Sequence, residues 1–261
     1  MTRLLVFLLV FLLLLPALAL ADVPPPPAIA AKAWLLYDFT SAQAIASEKQ
    51  DERVEPASLT KLMTAYLAFS ALKQKTLTPE KAVPVSERAW KAVGSRMFIE
   101  PNKPVSVDEL LRGMIVQSGN DACIALAEAI AGSEEVFAQM MNREAQRLGM
   151  KNTSFTNASG LPDPRHYSTA HDLGLLAAAL IRDFPEYYPL YSLREYRYNN
   201  ITQPNRNRLL WLDPNVDGMK TGYTENAGFC LIGSARRGAR RLLSVVLGAN
   251  SDSARVQESQ K

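Results

Sequence analysis

The chain has 261 residues, 48% of them apolar, with 29 basic and 26 acidic side chains and a net charge of +3 at pH 7. That length can bury one large core or two small ones, and the interspersed charges exclude a strong field for nucleic acid, so no nucleic-acid partner is expected. Cys123 and Cys230 both lie in apolar runs and read as buried free thiols. Neither has metal-ligand spacing around it, so no metal and no other cofactor is expected.

In chain order, residues 1–21 read as a targeting segment. Arg3 gives a positive start, 4–15 is an unbroken apolar run, and Ala19-Leu20-Ala21 has the small-x-small form of a cleavage site. The run is short for a membrane span; an uncleaved anchor is the alternative. Residues 22–32, with four consecutive prolines, form a stiff extended leader. Strands are predicted over 33–38 and 43–47. A helix then starts at Pro56, where a missing N–H costs little, and runs to about 72, with Leu59, Leu62, Met63 and Tyr66 making one apolar face. From there to about 184 the pattern is mainly helical. Ser106 and Glu109 have capping-box spacing before a helix over 107–117, and further helices are predicted over 121–131, 134–148 and 173–181. Three β-rich runs, 216–223, 227–235 and 240–248, read as an antiparallel meander. Strands at both ends with helices between them predict an α+β fold. One antiparallel sheet is built from the N- and C-terminal segments, flanked by helices and carrying a helical insertion, in one catalytic domain over 33–261.

Ser58 and Lys61 are three apart, so both side chains project from one side of the helix start. A hydroxyl beside an amine there is a nucleophile–base pattern, and the helix dipole favours the negative charge that develops on attack. Ser-x-x-Lys alone arises by chance in many helices. Two later stretches are equally ordinary in isolation: Ser118-Gly119-Asn120 at a helix junction, and Lys220-Thr221-Gly222 in the first meander strand. In this order and on these elements, the three form the signature set of serine penicillin-binding enzymes and serine β-lactamases. PASLTKLMTAY, VQSGNDACIALAEAIAG, FTNASGL, HYSTAHDL, ITQPNRNRLLW and VDGMKTGYTENAGF extend the match. Over nearly all of its mature length the chain resembles the exported D-alanyl-D-alanine carboxypeptidases, the low-molecular-mass penicillin-binding proteins.

That resemblance implies a β-lactamase/transpeptidase-like fold and a serine-type carboxypeptidase that removes the terminal D-alanine from peptidoglycan stem peptides. It also implies covalent binding of β-lactam antibiotics, and a place in the periplasm or on the outer face of the cytoplasmic membrane. Ser58 is the implied nucleophile and Lys61 its base, kept neutral by burial and by Lys220 nearby. Ser118 and Lys220 relay the proton to the departing D-alanine. Asn120 matches the residue that hydrogen-bonds the substrate amide. Thr221, Gly222 and Tyr223 form the substrate-binding strand edge, the N–H groups of Ser58 and Tyr223 hold the oxyanion, and Thr221 and an arginine take the terminal carboxylate. Arg255, shortly after the last strand, matches the family's carboxylate-binding arginine, and Arg206 matches a second arginine bordering the cleft. A solvated surface arginine is the plain reading of either. His166 and His171 read as structural, Asp172 as a first-turn acid, and the tyrosines of 187–198 as packing.

Two other function classes use the same residues differently. A class A β-lactamase needs a glutamate for deacylation, and the available Glu-x-x-x-Asn, Glu195 to Asn199, lies in a strand-like run close to Lys220. The middle motif is also Ser-Gly-Asn rather than Ser-Asp-Asn. A non-catalytic cell-wall-binding module would have no need of the full set of reacting groups. Many members of the resembled family continue into a β-rich second domain and a membrane-lying helix. This chain, ending at Lys261 in the start of a helix, either lacks those parts or is a truncated piece. Peripheral membrane association is expected only with a longer C-terminus.

Overall fold

The computed structural model describes residues 25–261. The targeting segment read at 1–21 and the start of the proline-rich leader lie outside them. The described chain begins with two strands, β1 (Ala33–Asp38) and β2 (Gln43–Glu48). A 3-10 turn, Ala57–Thr60, leads into α1 (Lys61–Lys73), followed by β3 (Ala82–Val83), α2 (Glu87–Trp90) and β4 (Val105–Ser106). Next come α3 (Val107–Val116), α4 (Asn120–Ala131), α5 (Glu134–Arg147) and α6 (Ala170–Asp183). The hairpin β5 (Glu195–Tyr198) and β6 (Ile201–Pro204) and the short α7 (Leu209–Leu212) precede β7 (Val216–Thr224), β8 (Gly228–Arg237), β9 (Arg240–Ala249) and α8 (Asp252–Gln260).

One five-stranded sheet, ordered β2-β1-β9-β8-β7, joins the two ends of the chain, and every pair in it is antiparallel. Leu35 lies opposite Val245 and Ala33 opposite Leu247. Helices cover both faces, which is why the second half of β9 is buried without alternation. On one face α6 comes so close to β1 that a Cβ at Gly174 would lie 2.8 Å from Leu35 Cδ2. On the other, Val256 of α8 packs with Leu209 and Leu231. β7 is an edge strand, so one side of its backbone has no neighbour in the sheet.

The helix after Ser58 is not one-faced. Eleven of the thirteen residues of α1 are buried, because it is packed among the helices α3 to α6, with α6 in turn on the sheet. Its start also differs from the expected α turn: Ser58 sits in the 3-10 turn, after Ala57 at a left-handed φ of 48°. The capping box at Ser106 and Glu109 is formed on both sides. Gly132 and Gly149, each at φ 82°, end α4 and α5 as the sequence predicts. The stretches 91–104 and 150–169, expected to be mainly helical, are instead irregular loops. Both border the cleft described next.

Candidate active site

The cleft lies between the Ser58 turn and the exposed edge of β7. It holds about 360 Å³ and is lined by Ser58, Gly94, Ser95, Asn120, the 159–161 loop, Arg206, Tyr223 and Thr224. Two glycines allow its walls to meet. A Cβ at Gly222 would lie 3.1 Å from Ser58 N and from Pro56 O, so only a residue without a side chain lets β7 close on the turn. Gly160, at φ 86°, is more constrained: a Cβ there would fall 1.8 Å from Ala57 O. Ala57 and Ser118 (φ 64°) are non-glycine residues in left-handed backbone, each at about 1–3 kcal/mol of local strain held by the surrounding packing.

Lys61, 1% exposed, has its ammonium on three acceptors: Ser58 Oγ at 2.8 Å, Asn120 Oδ1 at 2.8 Å and the Ser159 carbonyl at 2.7 Å. Burial, with the Arg206 charge adding to it, lowers its pKa to about 8. Lys220, also buried, donates to Ser118 Oγ at 3.1 Å and to the Thr221 carbonyl at 3.0 Å. Burial first, then the nearby Lys61 and Arg206 charges, holds it well below the ordinary ammonium range.

The partners of Lys61 decide what deprotonation does. Asn120 Oδ1 and a backbone carbonyl can only accept, whereas a serine hydroxyl can also donate. Once Lys61 loses a proton, its lone pair can face only Ser58 Oγ without leaving an acceptor pointed at it. The Asn120 amide cannot turn over without cost, because Nδ2 donates to the Val93 carbonyl at 2.7 Å. Asn120 therefore orients Lys61 in addition to lining the cleft.

The two arginines separate. Arg206 is exposed on the cleft wall and has no hydrogen bond or ion pair with another described residue. Its loop is pinned on both sides. Asn205 donates to the Leu193 carbonyl and accepts from Asn207 N–H, and Asn207 accepts from Leu209 N–H. Arg255, expected at the carboxylate, is 6% exposed and turned inward. It donates to the carbonyls of Gly222 (3.0 Å) and Cys230 (3.3 Å), pairs with Asp252, and does not line the cleft. The reason is its position in α8, which packs on β8 and β9 and so sends the side chain under the sheet edge.

Other sequence readings also find their places. His166 is buried, with Nδ1 accepting from Thr156 N–H at 3.0 Å and Nε2 on Thr60 Oγ1 at 2.8 Å. His171 lies near the surface, 3.7 Å from Asp51 and Asp172. Tyr188 and Tyr191 are buried packing residues, and both cysteines are buried free thiols. Glu195 is exposed on β5, and Asn199 bonds Glu100, so that pair does not enter the cleft. No group of three or more His, Cys, Asp or Glu among the described residues is arranged to hold a metal.

Sequence reasoning missed the residues that shape the loops. Asn157 Oδ1 accepts from the N–H groups of Ser159, Gly160 and Leu161, which presents the Ser159 carbonyl to Lys61. Asp121, 1% exposed, accepts from the N–H groups of Met97, Phe98 and Ile99. The signal for the first was an Asn ahead of Ala-Ser-Gly, the composition of an Asx turn.

The sequence profile of the D-alanyl-D-alanine carboxypeptidases, peptidase family S11, matches residues 21–251. The chain belongs to this family. It is 47% identical over 259 residues to D-alanyl-D-alanine carboxypeptidase DacC of Escherichia coli (strain K12), covering 96% of this chain and 64% of that protein. With DacA of the same organism it shares 42% over 247 residues, 92% of this chain and 61% of the other. It thus spans a little under two thirds of the length of these curated relatives. Among solved structures, penicillin-binding protein 5 of Haemophilus influenzae superposes with a TM-score of 0.89 at 45% identity, covering 91% of this chain and 71% of that one. Penicillin-binding protein D2 of Listeria monocytogenes, in its ampicillin-bound form, gives 0.83 at 31% identity, over 91% and 97% of the two chains. The fold is the α+β transpeptidase fold of these proteins.

Proposed function

We propose that this chain is a serine-type D-alanyl-D-alanine carboxypeptidase acting on peptidoglycan stem peptides. The observation that carries the reading is the Lys61 ammonium, held 2.8 Å from Ser58 Oγ by two partners that can only accept. With a pKa of about 8, about a tenth of Lys61 is neutral at pH 7. Neutral Lys61 takes the Ser58 proton as Oγ attacks the carbonyl carbon of the penultimate D-alanine. The N–H groups of Ser58 and Tyr223 hold the resulting oxyanion, an assignment supported by the contact of Gly222 with the Ser58 backbone. The C–N bond breaks, and the departing amine receives a proton from the Ser118 hydroxyl, which Lys220 replenishes. Water then attacks the ester carbonyl, giving its proton to Lys220 through Ser118, and the C–O bond to Ser58 breaks as Oγ takes its proton back from Lys61, which releases the shortened peptide and restores both lysines.

Arg206, free and facing the cleft, with Thr221, takes the terminal carboxylate. Arg255 acts through the strand, fixing the Gly222 carbonyl from beneath. β-Lactams present a strained carbonyl and a carboxylate in similar relation, so they acylate Ser58. Among the described residues no glutamate lines the cleft to drive water against that adduct, which supports a long-lived penicilloyl-enzyme over β-lactamase action. Export to the periplasm or the outer face of the cytoplasmic membrane belongs to the same proposal. It is supported by the charge and apolar pattern of residues 1–21.

The test combines two readouts on one preparation. The protein should release D-alanine from a D-Ala-D-Ala peptide and, exposed to penicillin, gain one stoichiometric adduct on the Ser58 peptide that lasts minutes or longer. Ser58→Ala should lose both and remain folded. Rapid penicillin turnover without D-alanine release would indicate a β-lactamase, and neither activity would leave a binding module.

A further inference from the structure

Apart from the Tyr66 hydroxyl, the polar side chains in the buried part of α1 belong to Lys61 and Thr64. They are three residues apart, so they share one face of the helix. A buried threonine inside a helix can bond back to the carbonyl of the preceding turn. Thr64 reaches outward instead. Its Oγ1 donates to the Ala158 carbonyl at 2.6 Å, while Lys61 donates to the Ser159 carbonyl at 2.7 Å. One face of α1 thus grips two consecutive carbonyls of the 150–169 loop.

Ala158 is held from its other side as well. Its N–H donates to Glu134 Oε1 at 2.9 Å, and the second oxygen of that carboxylate takes the Arg88 guanidinium of α2 at 2.6 Å. Glu134 and Glu135 share the first turn of α5, where the helix dipole favours either acid. Yet the Glu135 side chain is 63% exposed and that of Glu134 only 6%. The dipole does not account for that difference. A buried carboxylate is tolerated where it is paired and hydrogen-bonded, and Glu134 has Arg88 on one oxygen and a loop peptide on the other.

Ala158 is fully buried, so no water can replace either of its main-chain partners. Its N–H and carbonyl are both fixed, and the Gly160 N–H is fixed on Asn157 Oδ1 at 2.7 Å. Between them lies the Ser159 carbonyl, which is thereby aimed at Lys61.

We propose that Thr64 and Glu134 are positioning residues for the acylation of Ser58: they hold the Ser159 carbonyl on the Lys61 ammonium, which keeps the Lys61 lone pair aimed at Ser58 once a proton is lost. This rests on the carboxypeptidase reading of the cleft, in which Lys61 is the general base, and adds the residues that aim it. Neither residue lines the cleft, so both act through the loop. An acceptor on the ammonium favours its charged form, so a displaced Ser159 carbonyl lowers the pH at which Lys61 becomes neutral. The other titratable or charged groups that act on Lys61 are Cys123 and Asp121 on α4, Lys220 on β7, Arg206 on the cleft wall and His166 in the loop. The variants below leave all of these in place.

The test is the rate of penicilloyl adduct formation on Ser58 from about pH 6 to about pH 10, with D-alanine release from a D-Ala-D-Ala peptide measured beside it. Thr64→Val removes the hydroxyl and should lower the plateau rate at high pH about tenfold. It should also move the midpoint of the profile down by about one pH unit, the size of a hydrogen bond to a charged group. Thr64→Ser keeps the hydroxyl and should keep the wild-type midpoint. Glu134→Gln loosens Ala158 from the other side without touching α1. It should move the midpoint in the same direction by less, because its amide oxygen can still accept from Ala158 N–H, and it decides the matter alone if Thr64→Val does not fold. Wild-type midpoints in both Thr64→Val and Glu134→Gln would overturn the positioning role whatever rate is lost, since a purely structural residue changes the amount of folded enzyme and not the profile. A Thr64→Ser profile that follows Thr64→Val would overturn it as well. A wild-type rate that does not change with pH would overturn the general-base reading of Lys61, and the positioning role with it.

Discussion

Lys61 on α1 and Lys220 on β7 approach the cleft from different elements, both buried and both held below the ordinary ammonium range, yet their partners differ. Lys61 has two acceptor-only partners and one hydroxyl, so its lone pair is aimed at Ser58. Lys220 has one carbonyl and the Ser118 hydroxyl, which fits it to feed a proton outward through that serine. Side chains of one type thus differ in role through hydrogen-bond inventory. The arginines repeat the lesson, because Arg206 is unpartnered in the cleft and Arg255 is bonded to backbone beneath it.

The largest effect should come from breaking the lysine asymmetry. Lys61→Gln should slow acylation of Ser58 by about 10²- to 10⁴-fold, the range for a lost general base, with Lys220→Gln slowing it less. Stopped-flow acylation by a chromogenic β-lactam checks the order, and a reversed order would exchange the two roles. Next in size are the arginines. Arg206→Ala should lower kcat/KM about 10- to 100-fold for peptides with a free C-terminus and leave C-terminally amidated peptides unchanged. Arg255→Ala should lower both substrates alike, because it acts through the strand. If Arg255 discriminates between them and Arg206 does not, the assignment is inverted.

The arginines also show what the sequence could carry. Motif spacing located Ser58, Lys61, Ser118 and Lys220 on their elements, and the apolar runs of β7 to β9 predicted the meander nearly to the residue. Spacing fixes where a backbone lies but not which way a long side chain turns: the place of Arg255 just after the last strand predicts a cleft residue, whereas α8, packed on β8 and β9, turns it toward the Gly222 and Cys230 carbonyls. Asp121 and Asn157 were illegible for another reason. Their carboxylate and amide oxygens bond backbone N–H groups in loops, which leaves no periodicity to read. The expected helical character of 91–104 failed on the same ground, since Asp121 orders that loop in place of a helical ladder.

A smaller effect separates catalytic from structural burial. Burial lowers the His166 pKa to about 4, so the folded chain keeps the ring neutral where the unfolded chain would protonate it. Stability is therefore complete above about pH 6.5 and drains as pH falls toward 4. Between about pH 7 and about pH 5 the loss from this residue should be about 2 kcal/mol. Urea unfolding at those two pH values should show a smaller difference for His166→Asn than for wild type. An unchanged difference would mean that other groups carry the pH dependence.

The claim that all of this depends on is a Lys61 amine that must be neutral to take the Ser58 proton. Its direct measurement is the rate of penicilloyl adduct formation on Ser58, followed by intact mass from about pH 6 to about pH 10. With the Lys61 pKa at about 8, the rate should rise with pH and level off above that value. A rate that is flat across the range, or that falls as pH rises through 8, would contradict the account.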